Sequence, residues 1–247
     1  MKTLVVGASG ATGQLLVDQL LKQGHSVKII VRSMDALKDT IKKSDNVSII
    51  LASILDLSDD ELAEHVKDCD AVASCLGHNI NFKGVFGFPR RLVTDATRRL
   101  CHAIEINKPV KPVRFVLMNS SGVSNPALSE KISFKQQIVI CLLRFFIPPH
   151  VDNEKAANYL LSNIGKNSKY IQWSSVRPDA LIDNDAVTHY SIHPSPVRSA
   201  IFDAGSVSRM NVAHFMSELI TDDDVWEKWQ TQMPVIYSEC ESLAAQY

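Results

Sequence analysis

Disulfide frameworks, zinc centres and membrane spans leave marks in a sequence that this chain does not carry. Its 247 residues include five cysteines, Cys69, Cys75, Cys101, Cys141 and Cys240, odd in number, scattered, and with no CxxC or Cys/His ligand spacing. Neither a disulfide scaffold nor a metal site is expected, and small buried apolar positions are the expected role. Surplus charge is also missing: 26 Lys and Arg face 27 Asp and Glu, for a net charge of −1. No global field favours nucleic acid or an anionic membrane, so neither is an expected partner. The longest apolar run, Ile138 to Ile147, is interrupted by Arg144 and stopped by Pro148 and Pro149. A bilayer crossing needs about twice that length. The run is expected to form a buried helix, or one lying over a ligand pocket or at a homodimer contact. No leader precedes the first core-type segment, which starts directly after Lys2, and the cytoplasm is the expected location.

Repeats, low-complexity tracts and linker-like shifts are absent too, so residues 1–247 read as one domain. What fills the chain is alternation. Runs of β-type residues begin at Thr3, Ser26, Val47, Ala71, Arg114 and Tyr170, and segments of helical period begin at Leu15, Asp35, Asp59 and Arg90 and span Lys131 to Gly165. The strand runs are apolar throughout rather than alternating, as in a parallel sheet covered on both faces. Strand–helix alternation with right-handed crossovers gives an α/β fold with a doubly wound parallel sheet. From about Asp179 the rhythm loosens, leaving one helical segment (NVAHFMSELI), the acidic helix start DDDVWEKW and a short terminal strand, PVIY. That stretch, roughly 179–247, is expected to form a small cap over the carboxyl ends of the strands, where open α/β sheets bind ligands.

The stretch VVGASGATG, Val5 to Gly13, falls where strand passes to helix. Gly7 can adopt backbone angles closed to other residues, Gly10 lets a diphosphate approach the main chain, and Gly13 permits close helix–strand packing. Amide groups at the helix start, through Ser9, Ala11 and Thr12, would then face the phosphates.

Several later motifs occur in a fixed order. They are Leu55–Gly77 (LDLSDDELAEHVKDCDAVASCLG), Phe115–Val123 (FVLMNSSGV), Ser174–Asp183 (SSVRPDALID) and Ser208–Met216 (SRMNVAHFM). Together with the Gly7-x-x-Gly10-x-x-Gly13 spacing, they resemble the extended and atypical short-chain dehydrogenase/reductases over most of the chain. The resemblance implies a Rossmann fold that binds a nicotinamide dinucleotide. It places Asp56 near the adenine, and Leu76, Gly77 and His78 beside the ribose and nicotinamide, with His78 read equally well as a plain loop residue. Pro178, in the sixth-strand motif, is a further cofactor contact. NAD-binding members usually carry an acid at the end of the second strand. Here Arg32 stands about nineteen residues past Gly13, followed by Ser33. A guanidinium suits a 2′-phosphate, so NADP(H) is expected over NAD(H).

Carbonyl-reducing members place a Tyr four residues before a Lys, with a Ser ending the fifth strand. Ser120 and Ser121 are present, but none of the five tyrosines has Lys at the fourth following position. In PPHVDNEKAANYLLSN, taking Lys155 as the ribose-binding lysine puts Val151 in the tyrosine slot, whereas a shift of one residue puts His150 there and Glu154 in the lysine slot. Ser120, Ser121, His150 and Lys155 are therefore the candidate catalytic residues, with Ser120 and Lys155 also candidate cofactor contacts and His150 a candidate acid near neutrality. The atypical branch includes flavin and biliverdin-IXβ reductases, where hydride passes to a conjugated ring and the proton comes from solvent, so the protein supplies orientation and a dry pocket. The leading expectation is thus a reductase acting on a planar small molecule. Two alternatives stand beside it: a non-catalytic NADP(H) sensor and a degenerate relative of the sugar-nucleotide epimerases. The loop His78–Arg91, with Phe82, Phe86 and Phe88 between glycines, reads either as a flap stacking on a planar ligand or as aromatics tucked into the core. Trp226 and Trp229 are expected to pack the final helix.

Overall fold

A computed structural model describes residues 1–78, 87–128, 130 and 134–239. Strands β1 (Lys2–Val6), β2 (Ser26–Val31), β3 (Val47–Leu51), β4 (Ala71–Ser74), β5 (Val113–Met118) and β6 (Ile171–Pro178) pair in parallel in the order β3-β2-β1-β4-β5-β6. This is the doubly wound order, in which the chain adds strands outward from β1 to one edge and then from β4 to the other, so the switch point lies between the parallel strands β1 and β4. Each strand sends successive side chains to opposite faces, and both faces are covered. On β1, Leu4 and Val6 enter one core while Val5 enters the other.

The first core also takes Leu62 and Val66 from α3 (Asp59–Val66), Leu100 from α4 (Leu92–Asn107) and Ala156 from α6 (Pro148–Tyr159), packed on Phe115 and Trp173. The second takes Leu16 and Leu20 from α1 (Ala11–Lys22), Phe215 and Leu219 from α7 (Arg209–Thr221), and Trp226 and Trp229 from α8 (Asp223–Trp229). The helix starts are locally encoded. Ser58 and Glu61 form a reciprocal capping box on α3, and Asp222 accepts from the amides of Asp224 and Val225 at α8.

Four expectations change. The helical segment from Asp35 shrinks to α2 (Asp39–Lys42), because Asp35 and Ser33 close a turn through side-chain hydrogen bonds and Leu37 is buried as an anchor. The Lys131–Gly165 segment divides at Pro148, which opens α6, from α5 (Phe134–Phe146). Only one side of α5 is covered: Ile140 is buried, while Ile138, Leu142 and Phe146 are exposed, as is Cys141. Finally, much of the segment after Asp179 joins the main body. Strand β10 (Val235–Ser238) runs parallel to β6, and β8 (Tyr190–His193) runs antiparallel to β10, which brings the sheet to eight strands. The ribbon of β7 (Ala180–Ile182) and β9 (Ser206–Ser208), with the loop 195–204, stays on the carboxyl side. Apolar Val235 and Ile236, both fully buried, extend the sheet rather than cap it. Among the described residues, no helix is long and apolar enough to cross a membrane.

Candidate functional site

The turn after β1 is shaped by backbone contact. Gly7 has φ +78°, and a Cβ there would stand 2.5 Å from the Cys75 carbonyl carbon at the end of β4; one on Gly13 would stand 2.2 Å from the Gly7 oxygen. Both positions therefore exclude a side chain. Gly10 differs, since its nearest obstacle is the Gly7 oxygen at 3.2 Å. Gly10 caps α1 with no side-chain hydrogen bond, and the first turn carries no acid. The first turn of α1 thus lacks a side-chain cap, and uncapped amides at a helix start are the chemistry an anion needs. A hollow of about 300 Å³ opens from Gly7, Ser9 and Gly10 at this switch point. It runs to Arg32 and Ser53–Leu55 on one side and to Leu76 and Gly77 on the other. These features fit a dinucleotide with its diphosphate at α1.

Other expected cofactor contacts stand as follows. Ala11 is exposed at the helix start, and Thr12 is buried beneath it. Arg32 is exposed on the wall of the hollow. The Ser33 hydroxyl donates to Asp35 at 2.7 Å and accepts its amide, so it is held away from the role of phosphate donor. Asp56 is exposed and lies outside the lining, which is formed instead by Ser53, Ile54 and Leu55. Pro178 is buried at the end of β6, where its carbonyl accepts the Ser121 amide at 2.9 Å. Lys155 is exposed on α6 and lines neither this hollow nor the chambers described next. Of the loop aromatics, Phe88 is 90% exposed with Arg90 over its ring, so it is not part of the core; Phe82 and Phe86 lie outside the described residues.

Beyond β5 lie two joined chambers. The inner one, about 300 Å³, has Ser120 and His150 on one side and Ile140, Leu143, Ala200 and Ile201 on the other. The outer one, about 490 Å³, is polar, with Ser124, Ser195 and Arg198 in its wall; both share Ser121, Gly122 and Gln136. Gly122 is the floor. A Cβ placed on it would lie 3.6 Å from the Ser120 hydroxyl and 3.8 Å from His150 Nδ1, so these two groups converge over a position without a side chain. The Ser121 hydroxyl instead donates to buried Asp179 at 3.3 Å and holds the turn. Asp179 also accepts the Ala180 and Gly205 amides. The His150 Nε2 lies 3.4 Å from Glu154 Oε1, one turn on. Arg144 from α5 grips the same carboxylate at 2.9 to 3.1 Å. Burial works to raise the Glu154 carboxyl, but His150 and Arg144 outweigh it and hold it at about 2. The imidazole thus has a fixed anion behind it.

One residue escaped the sequence reading. Asp152, fully buried on α6, accepts His78 Nε2 at 2.8 Å, the Val93 amide at 2.8 Å and the Thr94 amide at 2.9 Å, while its own carbonyl takes the Thr94 hydroxyl. It caps α4 from another helix, since Arg91 at the N-cap offers no side-chain bond. Burial would raise its carboxyl, yet the His78, Thr94 and Val93 donors bring it below the ordinary value. His78 is therefore a strut between the loop after β4 and α6. Asn119 braces the same region, its amide donating to the Asn153 carbonyl.

A doubly wound sheet with an uncapped glycine turn at its switch point defines a dinucleotide-binding protein. The sequence profile of the NAD(P)H-binding family matches residues 7–223, and the chain belongs to that family. It is similar to an uncharacterized chloroplastic protein of Arabidopsis thaliana, 26% identical over 229 residues that span 90% of this chain and 73% of that one. Among solved structures, the oxidoreductase ylbE from Lactococcus lactis matches with a TM-score of 0.69 at 18% identity, covering 97% of this chain and 91% of that one. A wide-type short-chain dehydrogenase/reductase from Veillonella parvula, in complex with NADP, matches at 0.68 and 14% identity over 96% and 94% of the two chains. A protein of Streptococcus pneumoniae provisionally named an NADH-flavin reductase matches at 0.65 and 19% identity over 97% and 100%. These likenesses establish the shared fold, a Rossmann-like α/β sheet.

Proposed function

We propose that the protein is an NADP(H)-dependent reductase that passes hydride to a planar conjugated acceptor, of the flavin, quinone or tetrapyrrole kind. The observation that carries this reading is the pairing of two spaces along the carboxyl ends of the strands. One is a nucleotide hollow with Arg32 on its wall; the other is a half-apolar chamber where Ser120 and His150 converge over Gly122. The nicotinamide, when bound, supplies the hydride. The chain's residues do the rest: the α1 amides and Arg32 hold phosphates, Ile140, Leu143 and Ile201 exclude water, and Ser120 orients the acceptor's polar atom. His150 holds a proton at Nδ1 with Glu154 behind it, in the place where carbonyl reductases use a Tyr–Lys pair. Preference for the 2′-phosphate rests on Arg32 and on the absence of an acid at that position.

The test mixes purified protein with NADPH or NADH, then with flavin mononucleotide, quinones or biliverdin, and follows oxidation of the nicotinamide by its absorbance. Oxidation of NADPH by one of these supports the reading; tight NADPH binding without oxidation by any of them would support a sensor instead. Arg32→Asp is expected to weaken NADPH about tenfold to a hundredfold while sparing NADH, because a charge-assisted contact becomes a repulsion. Tighter binding of NADH by the unaltered protein, or equal losses for both nucleotides, would overturn the assignment of Arg32.

A further inference from the structure

A buried carboxylate is usually paired with a cation. Asp179 lines the inner chamber, is 7% exposed and, among the described residues, holds only neutral donors. Its Oδ1 accepts the Ser121 hydroxyl at 3.3 Å and the Ala180 amide at 2.9 Å, and its Oδ2 accepts the Gly205 amide at 2.9 Å. A carboxylate offers about four lone-pair positions, so one on Oδ2 is left over. The buried cation two residues earlier cannot take it. Arg177 spends its whole set of N–H groups on Glu130 and on the carbonyls of Val123, Met233 and Pro194. Ser120 supplies the complement: its hydroxyl accepts the Gly122 amide at 3.3 Å and keeps its own proton to donate. The inner chamber thus sets a charged acceptor and a hydroxyl donor among Ile140, Leu143, Ala200 and Ile201.

We propose that Asp179 determines the specificity of the acceptor site, selecting a ring that carries an N–H beside a carbonyl, as in a cyclic imide or lactam. This rests on the reading of the inner chamber as the acceptor site. The ring N–H donates to Asp179 Oδ2, and the adjacent carbonyl accepts from Ser120. The contact at Oδ2 is charge-assisted and lies beside apolar side chains, where such a bond is strongest. A flavin carries this edge in its pyrimidine ring, and a linear tetrapyrrole carries it in its end rings. A quinone has carbonyls but no N–H. It would seal the carboxylate from water without giving it a donor, which costs affinity. Quinones are thus the disfavoured kind of acceptor.

Riboflavin and 3-methylriboflavin differ only at that nitrogen. Their affinities are read from quenching of flavin fluorescence in the presence of NADP+, for the unaltered protein and for Asp179→Asn. Riboflavin is expected to bind at least about tenfold tighter than its methylated form. In the Asn variant the oxygen stays with the Ser121 and Ala180 donors and the NH2 group takes the Oδ2 position, so the ratio should fall toward one. A ratio near one in the unaltered protein overturns the assignment. So does the same ratio in both proteins, since a methyl group excluded by bulk alone is excluded from both. Should the variant not fold, the N3 proton of 15N-labelled riboflavin decides. A downfield move on binding to the unaltered protein upholds the contact, and an unmoved resonance overturns it. NADPH oxidation by riboflavin and by menadione, a quinone, is followed in parallel. Failure of riboflavin to associate overturns the contact in any case, and oxidation by menadione would then leave the reductase reading standing. The expected ratios without oxidation uphold the contact and overturn the reductase reading.

Discussion

Replacing Asp152 by Ala removes the carboxylate on which three elements meet. The side chain is fully buried, so no water replaces it. The Val93 and Thr94 amides then lose their acceptor at the first turn of α4, and His78 loses the carboxylate against its Nε2. A buried donor left unsatisfied costs about 1 to 3 kcal/mol. Loss of a helix cap costs about 1 kcal/mol and counts the same two amides. The bond from the Thr94 hydroxyl to the Asp152 carbonyl survives, so the whole comes to about 3 to 5 kcal/mol, as for breaking one side of a buried ionic network. In a chain of this length that lowers Tm by roughly 6 to 20 °C. Asp152→Asn keeps the shape and one acceptor oxygen, and should lose about half as much. The two also differ in pH dependence. Because the folded Asp152 carboxyl titrates below its unfolded value, its contribution is complete above the unfolded pKa of about 4 and disappears as pH falls through the folded one. The Asn variant's deficit in urea midpoint should therefore shrink only below about pH 4. An Ala variant within about 1 kcal/mol of the parent at neutral pH would refute the clamp, since a single lost surface bond would explain it.

The glycine turn separates two kinds of damage. Gly13→Ala drives a Cβ into the Gly7 carbonyl at 2.2 Å and should yield little folded protein, seen as loss of the cooperative melt; Gly10→Ala meets only a 3.2 Å contact, and should fold yet bind NADPH at least about tenfold more weakly by titration, because a methyl enters the diphosphate's space. Equal behaviour of the two would refute the cradle. The thiols should react in two classes. Cys141 is exposed, whereas burial pushes Cys69 up to about 11 and Cys75 to about 12 and raises Cys101 well above the ordinary range. Folded protein carrying Cys141→Ser and Cys240→Ser should thus take up a disulfide reagent only at the rate of unfolding; rapid labelling would contradict the burial of the remaining three.

Legibility in the sequence followed contact range. The β1–turn–α1 unit spans a dozen neighbouring residues, and every constraint on Gly7 and Gly13 comes from that unit or the next strand over. Pattern alone was enough. Strand runs such as SVKIIV, apolar on both faces, likewise announced burial between two helix layers. Where partners lie far apart in the chain, pattern falls silent. The two chambers beyond β5 join Ser120, Gln136, His150 and Arg198, and nothing local in any of these segments names the others. Asp152 reads as an ordinary acid in a helix until α4 is laid against it. Ser33 sits beside Arg32 as a phosphate ligand would, but Asp35, two residues on, offers its hydroxyl a nearer acceptor. The segment after Asp179 has the short elements of a cap, yet Val235 and Ile236 are buried beside β6 and Phe215 over the sheet, so the core continues through it.

Helical period decides the question left between the two registers of α6. Val151 and Lys155 are one turn apart and share a side of the helix, as do His150 and Glu154. Lys155 is exposed, whereas His150 enters the inner chamber and Glu154 turns toward Arg144. The pair presented to the inner chamber is therefore an imidazole with a carboxylate behind it, not a phenol with an ammonium. The Glu154 carboxylate, itself gripped by Arg144, stands behind the ring on the Nε2 side, while Nδ1 lies toward Gly122 and the chamber. It follows that His150→Ala should lower kcat by about a hundredfold with an acceptor that must gain its proton along with the hydride. With a flavin, whose ring nitrogen can be protonated by water, the loss should stay below about tenfold. Affinity for NADPH should hardly change in either case. Equal losses with both kinds of acceptor, or a matching loss of nucleotide affinity, would mean that His150 only packs the start of α6.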